Sequence, residues 1–316
     1  MSDAHHERVA IAILTWRNEA VTRTCLESLT RLIGWPLPVL VVDNASATDE
    51  GLRLAADLGP PVETVTLAIN GGVPGGYNAG LRWASGIGAD YVLLLNNDTI
   101  VSDPEMLNKL TAAMWPGVAA VGPVVHRLDG STQSAGGRVS WKSGRSLQIR
   151  TQPKGTSGSP YPVEWLDGSC LLVSVAAAAV VGGFADDYFL YWEDVDWGVR
   201  ASRAGLQCLV QPTTSIVHLG SATVSSASQL RYWMRNRLLF MRRNAGLRDN
   251  LTSLASMILG TIPHHLVRQG VAPVGWVRVL GIASAAIAWN ITDALHRGSW
   301  RVPSTGPLIG HSGDKP

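Results

Sequence analysis

The sequence predicts an α/β fold: a mainly parallel sheet flanked by helices, with a helical extension towards the C-terminus. Strand and helix patterns alternate through the first 100 residues, the pattern of an α/β domain. The strand runs are continuously apolar, as where helices cover both faces of a parallel sheet. Each run ends in a polar cluster, and in open α/β sheets ligands bind at the carboxyl edge of the strands.

Val9 to Leu14 is a buried strand ending at Thr15-Trp16-Arg17-Asn18, and Val21, Cys25, Leu26, Leu29 and Leu32 follow at helical spacing. Val39 to Val42 is the second strand, ending at Asp43-Asn44-Ala45-Ser46, with a helix from Asp49 to Leu58 behind it. Val62 to Leu67 is the third, ending at Asn70-Gly71-Gly72, and a helix from about Gly76 to Ser85 leads to the fourth, Tyr91 to Leu95, closed by Asn96-Asn97-Asp98. Ala119 to Val125 is a further strand, and Arg127 to Gly158, rich in Gly, Ser and basic residues, reads as loops or a hairpin. Ser169 to Val181 reads as a strand running into an Ala-rich helix, and Phe189 to Trp192 as an aromatic strand end. Glu193-Asp194-Val195-Asp196 then opens a helix that Gly205 stops. Cys208 to Val210 and Ser215 to Val217 are short strands flanking Pro212. From Arg231 to Arg243 arginines alternate with aromatic and aliphatic residues, and helices follow at Leu251 to Ile262 and Val274 to Leu295, separated by Pro263 and a loop through Pro273. The tail from Gly298 reads as loose.

Composition excludes several functions. The 316 residues carry 26 basic and 24 acidic side chains, a net charge of +2, which argues against an electrostatic nucleic-acid binder. With 46% apolar residues the chain is not disordered, and its charged fraction of 16% is low. Cys25, Cys170 and Cys208 are far apart and outside any CxxC spacing, pointing to a reducing compartment and away from a zinc site. Met1 to Arg8 lacks a signal-peptide pattern. The longest apolar stretch, Val279 to Ile291, is short for a membrane span and is bracketed by Arg278 and Asp293. The expected location is therefore cytoplasmic.

Each polar cluster allows a chemical and a plain reading. Asp43 either serves a strand-end turn or accepts the N3–H of a uracil or thymine ring. Asn70 to Gly80 holds five glycines in eleven positions; it is a flexible loop or a close backbone approach to an anion at a helix N-terminus. Its spacing is not the dinucleotide fingerprint GxGxxG. Asp98 either caps a turn or binds Mg²⁺ or Mn²⁺ through one carboxylate, with phosphates supplying further oxygens. Glu193, Asp194 and Asp196 sit where the helix dipole favours their ionised forms, which suits a base; capping is the competing reading. His218 ends another strand run and is structural unless Asp98 lies beside it.

In order and spacing these motifs resemble glycosyltransferase family 2, and within it bacterial rhamnosyltransferases. The resemblance runs from about Val9 to Arg243 and rests on Leu14-Thr15-Trp16-Arg17-Asn18, Val41-Val42-Asp43-Asn44-Ala45-Ser46, the Asn70 to Gly80 loop, Leu94-Leu95-Asn96-Asn97-Asp98, Asp167-Gly168 and Tyr191-Trp192-Glu193-Asp194-Val195-Asp196. It implies a Rossmann-like GT-A fold with a glycosyltransferase domain over residues 1–228, its nucleotide-binding half at about 1–125 and its acceptor-binding half at about 126–228. It implies nucleotide contacts from Thr15, Asp43, Asn44, Asn70, Gly72, Gly76, Asn78, Asn97 and Arg235, the last within an Arg235-Asn236 element. Asp98 and His218 would hold a divalent metal, Mg²⁺ or Mn²⁺; the family's acidic triplet here reads Asn96-Asn97-Asp98, so metal binding rests on Asp98. Asp194 would be the catalytic base, with Asp167, Gly168, Trp192, Glu193 and Asp196 around the sugar or acceptor.

The implied reaction is metal-dependent transfer with inversion, from a dTDP- or UDP-sugar to a glycan, lipid-linked or small-molecule hydroxyl, with dTDP-rhamnose the best-matching donor. Two other classes are weighed beside it: a nucleotide-dependent oxidoreductase and a non-catalytic sugar-nucleotide binder. Residues 229–297 form a helical region that either touches a membrane peripherally, at the inner face of the cell membrane, or packs on the core or forms a homodimer. No nucleic-acid partner is expected.

Overall fold

A computed structural model describes residues 8–46, 50–59, 61–156, 158–220, 226–264 and 273–296. The tail expected from Gly298, residues 1–7 and the loop residues 265–272 lie outside the described residues.

Strands β1 (Val9–Thr15), β2 (Val39–Asp43), β3 (Val62–Thr66) and β4 (Tyr91–Asn96) pair in parallel in the order β4-β1-β2-β3. Helices α1 (Glu19–Leu29), α2 (Glu50–Leu58) and α3 (Gly72–Gly86) connect them. Because side chains alternate along a strand, β1 splits between two cores. Ala10, Ala12 and Leu14 join Tyr77 and Leu81 of α3 on one face. Ile11 and Ile13 join Cys25, Leu26 and Leu29 of α1 on the other. Edge strand β3 is the exception to the apolar rule: Glu63, Val65 and Thr66 are exposed, since no strand covers its outer side.

Beyond β4 the sheet becomes mixed. β11 (Cys170–Ser174) runs antiparallel between β4 and β6 (Val118–Arg127). β12 (Gln207–His218) lies parallel to β6, and the short β5 (Thr99–Val101), β7 (Thr132–Ser134) and β10 (Tyr161–Val163) complete a ten-stranded sheet. α4 (Met106–Thr111), α5 (Val175–Val181) and α6 (Glu193–Arg203) cover it. The expected loop region contains a hairpin, β8 (Gly137–Ser140) with β9 (Arg145–Gln148).

Two local expectations change. The two strands around Pro212 are one strand, β12, which absorbs its irregular residues in a register shift between Gln211 and Ser215. Phe189 to Trp192 is not a strand end: it leaves a 3₁₀ turn (Asp186–Tyr188) with Phe189, Tyr191 and Trp192 all at positive φ, at 63°, 66° and 77°. Such angles are strained for aromatic residues and need support from their surroundings.

The C-terminal region packs back on the domain. α7 (Ser226–Asn244) sends Leu239, Phe240 and Met241 into a core with Trp165, Tyr188, Trp192 and Val195. It also builds a second core through Met234 and Leu238 with Met257, Val279, Ala283 and Ala286. These belong to α8 (Leu247–Ser256) with its π-helical turn (Met257–Thr261), and to α9 (Pro273–His296).

Candidate active site

The strand ends converge as expected. A cavity of about 770 Å³ opens over the carboxyl edge, lined by Thr15 and Trp16 after β1, Asn44 after β2, Asn70 and Gly72 after β3, Asn97 and Asp98 after β4, and His218 at the end of β12. A second cavity of about 220 Å³ adjoins it, lined by Gln133, Asp167, Gly168, Trp192, Glu193 and Asp194. Val73, Asn96, Leu190, Tyr191 and His218 line both.

In the larger cavity the polar side chains hold one another. Thr15 Oγ1 contacts Thr22 Oγ1 at 2.8 Å, and Asn97 Nδ2 donates to Thr15 and Thr22 at 3.2 and 3.0 Å. Asn44 donates from Nδ2 to Gly72 O and accepts from Gly71 N–H, at 2.8 and 2.9 Å, so its amide clamps the glycine loop. Asn70 Oδ1 accepts from Gly72 N–H at 2.9 Å. Gly72 has φ +67° and stands so close to Phe189 O that a Cβ would sit 2.0 Å from it. α3 starts at Gly72, four residues earlier than the pattern suggested, and its first-turn N–H groups are already engaged: Gly72 with Asn70 Oδ1, Val73 with Phe189 O at 2.8 Å and Gly75 with Gly71 O at 3.2 Å, while Pro74 has none.

Asp98 and His218 meet, with His218 Nε2 3.1 Å from Asp98 Oδ1. Asp43 is fully buried and is not among the lining residues. Its Oδ1 accepts from Ser46 N–H at 3.0 Å, while its Oδ2 has no partner among the described residues.

The smaller cavity is electrostatically different. Asp194 accepts from Gly168 N–H on Oδ2 at 3.0 Å and from Val195 N–H on Oδ1 at 2.8 Å. Burial, then the nearby Asp167 charge, pushes its carboxyl up to about 7. Burial and the charge of Asp194 push Glu193 well above the usual carboxylate range. For Glu193 the ionised form expected from the helix dipole is therefore disfavoured, and Asp194 reaches it only towards neutral pH, because withdrawal from water outweighs a terminal dipole worth about 0.3–1 kcal/mol. Glu193 Oε2 and Trp192 Nε1 are buried without partners among the described residues.

Four expected contacts point elsewhere. Asn78 bonds Phe184 O, Phe184 N–H and Asp186 from the far side of α3. Gly76 is a packing glycine, since a Cβ there would meet Leu14 at 2.1 Å. Asp196 is fully buried against Arg200 Nε at 2.8 Å and the Tyr188 hydroxyl at 3.0 Å, on the core side of α6. Arg235 donates to the carbonyls of Asp187 and Tyr188 and stacks on Trp289, so it braces the strained turn and does not line the large cavity. Its neighbour Asn236 completes that support: Nδ2 lies 2.9, 2.7 and 2.8 Å from the carbonyls of Tyr188, Leu190 and Tyr191. The sequence pattern drew attention to neither Gln133 nor Tyr232 as wall residues, since nothing in local spacing marks them, and Tyr191 stood in a family motif without a role.

A mainly parallel sheet flanked by helices, with a cavity open over its carboxyl edge, is the fold that GT-A glycosyltransferases share. The chain belongs to that class through one family: the model of Glycosyl transferase family 2 matches residues 10–162, and the chain is a member of this family. It is 31% identical over 226 residues to an N-acetylglucosaminyl-diphospho-decaprenol L-rhamnosyltransferase of Mycobacterium tuberculosis, covering 61% of this chain and 70% of the relative. It is 30% identical over 208 residues to the galactofuranosyltransferase GlfT1 of the same species, covering 63% and 66%. The fold matches the mannosyltransferase PcManGT of Pyrobaculum calidifontis, in complex with GDP-Man and Mn²⁺, with TM-score 0.57 and 16% identity over 92% of this chain and 88% of that one. The protein is thus a glycosyltransferase, and the oxidoreductase and passive-binder readings fall away.

Proposed function

We propose that this enzyme transfers a sugar, L-rhamnose from dTDP-rhamnose, with inversion onto a hydroxyl of a lipid-linked glycan. The observation that carries the reading is the shared wall: a cavity sized for a nucleoside diphosphate sugar opens onto one that holds Asp194, a carboxylate poised near 7. A group with that pKa is matched to take a proton near neutral pH.

In this reading the donor lies along Thr15, Asn70 and Asn97, with its diphosphate towards Asp98 and His218. Asp43 Oδ2, buried behind the cavity wall and unpartnered among the described residues, meets a pyrimidine N3–H only if the wall in front of it moves. Asp98 and His218 fit a divalent cation of the Mg²⁺ or Mn²⁺ kind: they offer one oxygen and one nitrogen donor at the cavity wall. Among the described residues no group of three or more acidic, His or Cys side chains gathers, so donor phosphates and water would complete the shell. When bound, the cation supplies charge neutralisation for the leaving diphosphate. Asp194 accepts the proton of the acceptor hydroxyl; the acceptor oxygen bonds the anomeric carbon as the bond to the diphosphate oxygen breaks. Glu193, held neutral, donates a hydrogen bond that orients the acceptor, and Trp192 and Gly168 shape its seat.

The division of labour follows the chain: residues 1–125 supply most of the donor cavity, residues 126–228 most of the acceptor cavity. Among the described residues no helix is long and apolar enough to cross a membrane. Leu247, Leu259, Val277 and Leu295 of the C-terminal helices and π-helical turn are 69–79% exposed, which supports peripheral contact with the inner face of the cell membrane, where a lipid-linked acceptor resides. Sedimentation with liposomes checks this, and a dimer that ignores lipid overturns it.

Asp194→Asn tests the chemistry. Transfer should fall by about 10²–10⁴-fold while dTDP-sugar binding, read by thermal shift across a panel of UDP-, dTDP- and GDP-sugars with Mn²⁺ or Mg²⁺, survives. Near-normal turnover by the variant would remove Asp194 as the base.

A further inference from the structure

Gln133, on β7, lines the smaller cavity and bonds His218, which lines both. Its Nε2 is 3.1 Å from Asp167 Oδ2 and 3.0 Å from His218 Nδ1, while its Oε1 is 3.2 Å from the same His218 nitrogen. On the other side of the ring, His218 Nε2 is 3.1 Å from Asp98 Oδ1. Asp167 is anchored independently, its Oδ1 accepting from Ser169 N–H and Oγ–H at 3.1 and 2.7 Å.

A carboxamide both donates and accepts, and a neutral imidazole carries one proton on either nitrogen. Two arrangements therefore fit with little movement. In the first, the two Nε2 protons of Gln133 go to Asp167 and to His218 Nδ1, and His218 donates its Nε2–H to Asp98. In the second, His218 carries its proton on Nδ1 and donates to Gln133 Oε1; the Nε2 lone pair is then free for a cation, while Asp167 keeps its bond. A histidine that ligates a metal needs its other nitrogen held in this way.

We propose that Gln133 is a positioning residue for glycosyl transfer, an amide that accepts either tautomer of His218 and ties it to Asp167 in the acceptor cavity. This rests on the metal reading of Asp98 and His218. Its consequence is that loading the donor side and ordering the acceptor side share one side chain.

The test compares Gln133→Met, which keeps the length and loses both polar atoms, with Gln133→Glu, which keeps an acceptor for Nδ1–H but cannot donate to Asp167. Mn²⁺ binding is read by titration with UDP and with dTDP present, and the His218 ring by ¹⁵N shifts before and after Mg²⁺. Wild type should move from the Nε2–H to the Nδ1–H form on Mg²⁺ binding. Gln133→Met should bind Mn²⁺ about 10–100-fold more weakly. Gln133→Glu should keep Mn²⁺ affinity within about threefold yet lose kcat, a split that general damage to the fold would not produce. Wild-type binding that Gln133→Met leaves unchanged overturns the role of Gln133 alone. A wild type that binds no Mn²⁺ with either nucleotide overturns the metal reading and this inference together.

Discussion

In the larger cavity Thr15, Asn44, Asn70 and Asn97 each bond a neighbouring hydroxyl or backbone group, whereas in the smaller one Glu193 and Trp192 keep buried polar atoms without partners among the described residues. The one carboxylate on the wall of the larger cavity, Asp98, is paired with His218. The smaller cavity gathers Asp167, Glu193 and Asp194, and the turn with three aromatic residues at positive φ borders both cavities. Wall side chains that already hold one another suit a large ligand that must be held in one pose. A site that removes a proton needs a carboxylate whose water has been taken away, and unsatisfied or strained groups are typical of such places.

The sharpest way to break this contrast is pH. In the role proposed for it Asp194 takes a proton only when ionised, so kcat should rise with pH and level off above about 7. Between pH 8 and pH 5 the loss should approach about 100-fold, read from initial rates, while nucleotide affinity changes far less. The same shift acts oppositely on stability. The folded carboxyl binds its proton more tightly than the unfolded one, so this contribution is present below the ordinary carboxylate pKa and is lost as pH rises through about 7. Asp194→Asn should therefore melt higher than wild type at pH 8 and show little advantage at pH 4.

Next in size is the support of the strained turn. Asn236→Ala removes the amide that faces three carbonyls and should lower kcat/KM roughly 10–100-fold, because Leu190 and Tyr191 line both cavities. A loss confined to stability, with kinetics intact, would mean that the turn holds its shape without Asn236.

The smallest kinetic effect should come from Asp196, close in sequence to Asp194 and on the other side of the same helix. Asp196→Asn leaves Arg200 buried without its carboxylate and should cost on the order of 3 kcal/mol in denaturant unfolding. Activity per folded molecule should stay within about threefold. A large kinetic loss would return Asp196 to the acceptor cavity.

Much of this was legible in the chain. The apolar strands with polar ends placed the sheet and its functional edge, because burial on both faces leaves only strand ends free to be polar. Asp98, His218 and Asp194 were all legible as candidates, and the structure sets each on a cavity wall. Asn78, Asp196 and Arg235 were legible as polar residues in matching motifs, but a motif does not say which way a side chain turns. Each of them spends its hydrogen bonds on the protein: Asn78 on the Phe184 segment, Asp196 on Arg200, Arg235 on the Asp187 and Tyr188 carbonyls. Gln133 was not legible, since a Thr-Gln-Ser segment in a loop-like stretch carries no pattern and its two partners lie 34 and 85 residues away.

By itself, then, the sequence determined the layered α/β architecture, the family and the carboxyl edge as the place where polar side chains gather, since local periodicity and strand-end composition are recorded residue by residue. Tertiary structure alone decided which acids are desolvated, which amides are already occupied, and which distant residues share a wall. Those properties depend on what surrounds a group in space, and the packing of α6, β7 and α7 around the two cavities sets them.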